Sequence, residues 1–237
     1  MAVVRTRITR LSPLKTIGAE ASERYYVTNH IPLIVRLRQA PNDATLRYRP
    51  HRVVGEWTPE GSVNEGKEPS TPWRYVFVDY RAGSEPIVPD HAEAIFSDHV
   101  HFVQDLETYE VERRVVVDRR SGQLSSVKFL LLGRHDESGQ WEETHLDVIG
   151  VGPEDSSAPR LVVSNRALSR LVTEEITAPG QRYTGQSVDV DEAIWFDEFY
   201  FDNAWEADRY LQARIGEFTA EAREVRVLEV EELVALD

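Results

Sequence analysis

The chain has 237 residues, a formal net charge of −14, 41% hydrophobic side chains and no cysteine. A chain this long can bury a core without covalent staples. The missing cysteine excludes disulfides, a thiolate nucleophile and Cys-ligated zinc. No run approaches the roughly 18 apolar residues of a membrane span, and no long apolar stretch follows the basic residues after Met1. Neither a membrane partner nor a secretory signal is therefore expected, and the expected location is the cytoplasm or a virion.

Charge is unevenly spread. Residues 1 to 60 hold ten Arg and Lys against five acids, a net of +5, whereas residues 187 to 237 hold fifteen acids and four arginines, a net of −11. Such asymmetry suggests complementary surfaces within one molecule or between copies. Lys15, Lys67 and Lys128 are the three lysines, so nearly all positive charge is arginine.

From Val4 to Arg10 apolar and polar residues alternate, which predicts a half-buried strand. Leu33 to Arg38 and Ala44 to Arg49 alternate around Pro41-Asn42-Asp43, a turn sequence, and so read as a hairpin. In that hairpin Arg36 faces Arg47, and Arg36, Arg38, Arg47 and Arg49 share the outer face. Residues 58 to 72 read as a long loop, followed by a strand from Trp73 to Tyr80. Asp90 can cap a helix running to about Glu107, with Ala92, Ile95, His99, Phe102 and Leu106 in one stripe. Should Asp98 to Val103 be a strand instead, His99 and His101 point the same way.

Tyr109 to Asp118, Gln123 to Arg134 and Gln140 to Val151 predict a three-stranded meander, with Gly122 and Gly139 at its turns. Val127 to Leu132 is apolar on both faces apart from Lys128, as an interior strand would be. Asn165 reads as the cap of a short helix through Ile176. Ala193 to Phe201 is strand-like, and Asn203 caps a helix to about Glu224 carrying Leu211, Ile215, Phe218 and Ala222 on one face. Val225 to Val230 closes the chain as a strand. No internal repeat is visible. The expected fold class is α+β: a mainly antiparallel β-sheet or sandwich containing the meander (about 109–151), with two to three peripheral helices, in a single domain over 1–237.

None of the sequence signatures of P-loops, dinucleotide folds, zinc proteases or serine hydrolases is present. Three patterns remain as candidate sites. On a helix, His91, Asp98, His101 and Asp105 fall roughly on one face and could share a divalent metal, although a solvated helix face has the same composition. The arginines Arg36, Arg38, Arg47 and Arg49 form an interface candidate, because like charges facing each other across a hairpin need something acidic above them. Between Asp189 and Trp205, aromatics interleave with acids; Ile194, Phe196 and Tyr200 are expected in the core with the acids facing water. Glu143, His145 and Asp147 are read as the polar outer side of a strand.

The leading functional reading is a non-enzymatic structural or assembly subunit, in concrete form a tail or head–neck component of a virion. It would bind protein partners as a homo-oligomer or larger assembly and need no cofactor. One alternative is a metal-dependent enzyme or small-ligand-binding protein using the His91–Asp105 segment. Another is an acidic inhibitor that mimics nucleic acid. Binding to nucleic acid in general is not expected at −14 overall.

Overall fold

The structure is a computed structural model that describes residues 4–39, 45–58, 61–62, 71–82, 89–120, 127–135, 145–146, 149, 157–172, 186–190, 193–219, 222 and 224–233. Strand β1 (Val4–Pro13) is followed by helix α1 (Ala19–Tyr25), a π-helical turn (Tyr26–His30) and α2 (Ile31–Arg38). Then come β2 (Thr45–Thr58), the short β3 (Gly61–Ser62), β4 (Tyr75–Ala82), α3 (Pro89–His99) and β5 (Val103–Asp118). The second half runs β6 (Val127–His135), β7 (Leu161–Val172), β8 (Gln186–Asp189), β9 (Ala193–Phe201), α4 (Ala204–Thr219) and β10 (Glu224–Glu232). Between β6 and β7, His145, Leu146 and Ile149 are helical.

Apart from β3 and β8, this order is one β-α-β-β-α-β unit followed by a second. In space the first unit reads β5-β1-β4-β2 and the second β10-β6-β9-β7, which is the same fourth-first-third-second order. Each sheet lends its two outer strands to the other: β5 pairs with β7, and β2 pairs with β10. Eight antiparallel strands thus close into a barrel, with the helices outside. This corrects the expected sheet or sandwich, and it reveals a structural repeat that the sequence hides.

Alternation along each strand sorts side chains between lumen and outer face. One apolar cluster draws Ile8, Val53, Val76, Tyr109, Leu130, Leu132, Ala167, Phe196 and Leu228 from all eight barrel strands, and it is the lumen. An eight-stranded barrel is just wide enough to be filled in this way. The outer face of the second unit carries Phe129, Leu131, Trp195 and Phe199 against Tyr210, Leu211 and Phe218 of α4. The outer face of the first unit packs Leu11 and Tyr75 against Tyr26, Ile31 and Phe102.

Several local expectations hold. Asn203 Oδ1 accepts the Glu206 N–H at 2.9 Å, so it caps α4, and the strands beginning near Val4, Trp73, Ala193 and Val225 form. The expected meander does not. β5 pairs with β1 and β7, and β6 pairs with β9 and β10, so β5 and β6 are not neighbours in the sheet. Its expected third strand contains the helical His145, Leu146 and Ile149. Gly122 and Gly139 lie outside the described residues, as does most of 58–72.

The expected hairpin at 33–49 is helix α2 followed by β2. Its buried positions Ile31, Ile34 and Arg38 follow the helical period, which outweighs the alternation of Leu33 to Arg38. Asn165 opens no helix: it is fully buried inside β7. The helix from Asp90 stops at His99, and Phe102 and Leu106 pack from the turn and strand that follow.

Two glycines are fixed by geometry. Gly18, at the start of α1, has φ +82, a left-handed value that favours a residue without Cβ. On β6, Gly133 supports the Trp195 ring of β9, and a Cβ there would lie 2.0 Å from Trp195 Cζ2. Gly133→Ala should therefore displace the indole and cost about 1–3 kcal/mol in chemical denaturation. A midpoint equal to that of the wild type would show that the ring does not rest on this backbone.

Candidate functional site

The lumen holds a charged cluster beside its apolar filling. Lys128 follows the inward register of Leu130 and Leu132, Glu198 that of Ile194 and Phe196, and Asn165 that of Ala167. Glu198 is 1% exposed. It accepts hydrogen bonds from Lys128 Nζ at 2.8 Å, Tyr200 Oη at 2.7 Å, Asn165 Nδ2 at 3.0 Å and the guanidinium of Arg113. Burial alone would raise the Glu198 carboxyl, but Lys128 and Arg113 together hold it well below the usual carboxylate range. Burial and the Glu198 charge push Tyr200 the opposite way, well above its ordinary value.

His51 completes the cluster. Its Nδ1–H faces the Val76 carbonyl at 3.1 Å, so Nε2 is the acceptor for Lys128 Nζ at 2.8 Å. Burial, and then Lys128, lower its pKa, which agrees with a neutral ring. Every polar group named here is paired, and several pairs join one unit to the other: Arg113 to Glu198, and His51 to Lys128. The cluster ties the barrel together. Replacing Glu198 by Gln leaves buried Lys128 and half-buried Arg113 short of one charge, and should cost about 3–5 kcal/mol by denaturation at neutral pH. A loss below 1 kcal/mol would show that the cluster carries little.

A different centre lies outside the barrel, between the helices of the first unit and its sheet. His30 ends the π-helical turn and is completely buried. Pro32 follows it; without an N–H, this proline cannot continue the regular helical ladder, and the wide turn sits just before the break. Nδ1 of His30 lies 2.8 Å from Asp98 Oδ2, and Tyr25 Oη donates to Asp98 Oδ1 at 2.7 Å. The His99 ring lies 4.8 Å from that of His30, centre to centre, and Phe102 and Tyr26 stack around them. At the edge, exposed His101 packs on Tyr25, 5.4 Å between centroids.

The protons in this nest can be placed. Burial pushes the Asp98 carboxyl up, but the hydrogen bonds from His30 and Tyr25 outweigh it and hold the carboxyl below its ordinary value. Burial, and then Asp98, push the Tyr25 hydroxyl up to about 12. Burial lowers His30, and burial with the neighbouring His30 lowers His99 well below the usual imidazole range. His30 is thus neutral, with its Nδ1–H directed at Asp98 and a lone pair on Nε2.

That Nε2 has no hydrogen-bond partner, nor has either nitrogen of His99. A buried polar atom left unsatisfied costs about 1–3 kcal/mol. Three in one nest amount to a sizeable share of a typical folding free energy of roughly 5–15 kcal/mol. The second unit has a related pair on its outer face. His145 Nε2 lies 2.6 Å from Asp197 Oδ2, beside Trp195, and the other Asp197 oxygen has no partner.

The sequence candidates are only partly gathered. His91 and Asp98 sit seven residues apart on α3, about 10 Å along the helix, too far to share one ion. His101 lies in the turn after α3. Asp105 is on β5, where Ser12 Oγ donates to it at 2.9 Å. Asp98 and His101 reach the same nest, while His91 and Asp105 do not. Among the described residues no three His, Asp or Glu side chains are placed to hold a metal.

Of the arginines, exposed Arg36 and buried Arg38 belong to α2, whereas Arg47 and Arg49 lie on β2, where Arg49 approaches Glu232 at 3.9 Å. The repulsion expected across a hairpin does not arise. Asp197 and Glu198, expected to face water, are buried. Sequence reasoning passed over His30 altogether, and it noted His99 only as part of the apolar stripe of the expected helix or, in the strand alternative, beside His101, never as a member of a candidate site with His30. The lone lysine in an apolar run was the available signal for the lumen cluster.

The architecture defines a class, a closed α+β barrel of two β-α-β-β-α-β units, and comparisons with known proteins agree. A crystallised protein of Fusobacterium nucleatum assigned as a monooxygenase shares the fold at TM-score 0.50 and 10% identity, over 100% of this chain and 95% of that one. An anthrone oxidase-like protein matches at TM-score 0.55 and 9% identity, over 98% and 92%. The encapsulated DyP-type peroxidase of Mycobacterium smegmatis matches at 0.51 and 11%, over 96% and 93%. No family model matches the sequence, and no curated protein does. No helix among the described residues is long and apolar enough to cross a membrane.

The buried imidazoles give stability a definite pH dependence. His30 and His99 take up protons near 6.5 when unfolded but resist them when folded, so the unfolded state binds more protons below that pH. Stability contributed by their neutrality is complete above 6.5 and falls as pH drops below it; the depressed Asp98 adds a further loss near and below 3.8. Urea midpoints between pH 7.5 and 5 should decline, and less steeply in His99→Phe. Equal slopes would exclude His99 as a source.

Proposed function

We propose that this protein is an enzyme or small-ligand-binding protein acting at the His30–Asp98–His99 nest, and that it is not a structural subunit of a virion. The observation that carries this reading is the Nε2 of His30: buried, neutral and unpartnered, on a ring whose other nitrogen is held by a carboxylate. A carboxylate so placed fixes the tautomer and raises the basicity of the free nitrogen. Exposed His101, stacked on Tyr25, marks the edge from which a small molecule or proton would reach Asp98 and His30. Tyr25, Tyr26, Tyr75 and Phe102 favour a flat, apolar occupant.

Three proteins of this fold are assigned as a monooxygenase, an anthrone oxidase-like protein and a peroxidase, which makes oxidation of a small aromatic molecule the first class to assay. The assay is oxygen consumption with anthrone, and peroxide-driven oxidation of a phenolic dye, for wild type and His30→Gln, with thermal shifts recorded for both compounds. The wild type should show turnover or a shift that drops at least about tenfold in the variant, the scale of a lost general base. No response in the wild type, or an equal response in a folded His30→Gln, would overturn the proposal.

A further inference from the structure

The two buried imidazoles also define which chemical group can meet them. We propose that they grip the hydroxyl oxygen of a phenol or enol, His30 Nε2 taking its proton and a His99 N–H holding the oxygen. This inference rests on the reading of His30 as the base of the nest. Because Asp98 holds the Nδ1–H of His30, that ring presents an acceptor and no donor. His99 is neutral and 1% exposed, with neither nitrogen partnered, so it presents one N–H and one lone pair. The ring centres lie 4.8 Å apart, a spacing that one oxygen can bridge at hydrogen-bond lengths of about 2.9 Å.

Hydrogen-bonding capacity and charge select the group. A hydroxyl donates and accepts at one atom, so it answers both rings at once. An ether or ketone oxygen brings no proton to His30, and an ammonium brings no acceptor to His99. A carboxylate or phosphate would add negative charge next to Asp98, which already carries one. The body attached to the hydroxyl is flat and apolar, because the rings of Tyr26, Phe96 and Phe102 surround the two imidazoles. The step is a single proton transfer: the O–H bond breaks, the proton goes to His30 Nε2, and the oxygen keeps the electron pair. Asp98 then stabilises the imidazolium, as a buried carboxylate does for a catalytic histidine. The new Nε2–H and the His99 N–H both point at the oxyanion, which would otherwise face aromatic rings without a donor.

The test uses 4-nitrophenol, whose ionised form absorbs visible light, and its methyl ether 4-nitroanisole, which has no proton to give. Each is titrated with the full-length protein just below the pH at which free 4-nitrophenol ionises, with affinities taken from equilibrium dialysis. In the wild type the phenolate band should grow as protein is added, and the ether should bind about 10–100-fold more weakly. His99→Phe should weaken 4-nitrophenol binding by a similar factor, and His30→Gln should bind it without growth of the band. The comparison of phenol with ether needs no variant. The inference is overturned if neither probe binds the folded wild type, if the ether binds as well as the phenol, if bound 4-nitrophenol stays neutral, or if folded His99→Phe matches the wild type. A turnover or thermal shift that is lost in His30→Gln but kept in His99→Phe removes this inference alone. Phenolate binding without turnover removes the oxidative activity alone.

Discussion

Closure of the barrel depends on two seams that join residues far apart in the chain, β5 with β7 and β2 with β10. Without them, each unit would be an open four-stranded sheet with unpaired edges and one bare apolar face. The lumen exists because the two inner faces meet, and its charged cluster exists because Glu198 of one unit meets Arg113 of the other. An ionised carboxylate in such a place survives only when cations and hydrogen-bond donors surround it. Lys128, Arg113, Asn165 and Tyr200 do so, and they come from four different strands.

The same closure decides where chemistry can occur. A lumen filled by side chains from all eight strands leaves little room for a ligand; the cavity bounded by Arg10, Leu132, Arg134, Ile194 and Arg226 is about 20 Å³, roughly the space of a single water. The His30–Asp98–His99 nest proposed as the working site lies instead on an outer face, where helices cover the sheet. There the two units have diverged. The first pairs His30 with Asp98 on helices in an aromatic nest, and the second pairs a helical His145 with Asp197 on β9. The lumen cluster is fully paired and serves stability. The nest on the first unit leaves three nitrogens unpartnered, which stability alone does not explain.

Much of this was legible residue by residue. The alternation at Val4 to Arg10 and the aromatic run Ala193 to Phe201 marked real strands, and Asn203 marked the start of α4, because each signal is local. Asp98 and His101 were grouped with His91 and Asp105 on one helix face, and the structure places only the first two beside the His30 nest. The chain turns between His99 and Val103, so Asp105 leaves on a strand, and His30 arrives from a helix about seventy positions earlier. No spacing rule on a single helix could supply that partner.

The sequence by itself determined that segments such as Val4–Arg10 alternate, that Asn203 caps the helix after β9, and that nearly every acid and base belongs to an arginine–carboxylate chemistry without thiols. It could not determine pairing. β5 and β6 are sequence neighbours with matching patterns, yet each bonds to strands elsewhere, because only the second unit can close the edges of the first. Nor could it tell a lumen position from an outer one, since alternation divides a strand into two faces without saying which is enclosed. That choice placed Glu198 among cations, Asn165 in the barrel rather than at a helix cap, and His30 beside His99. It was made by the meeting of two sheets, a contact between residues too distant in sequence to leave a periodic trace.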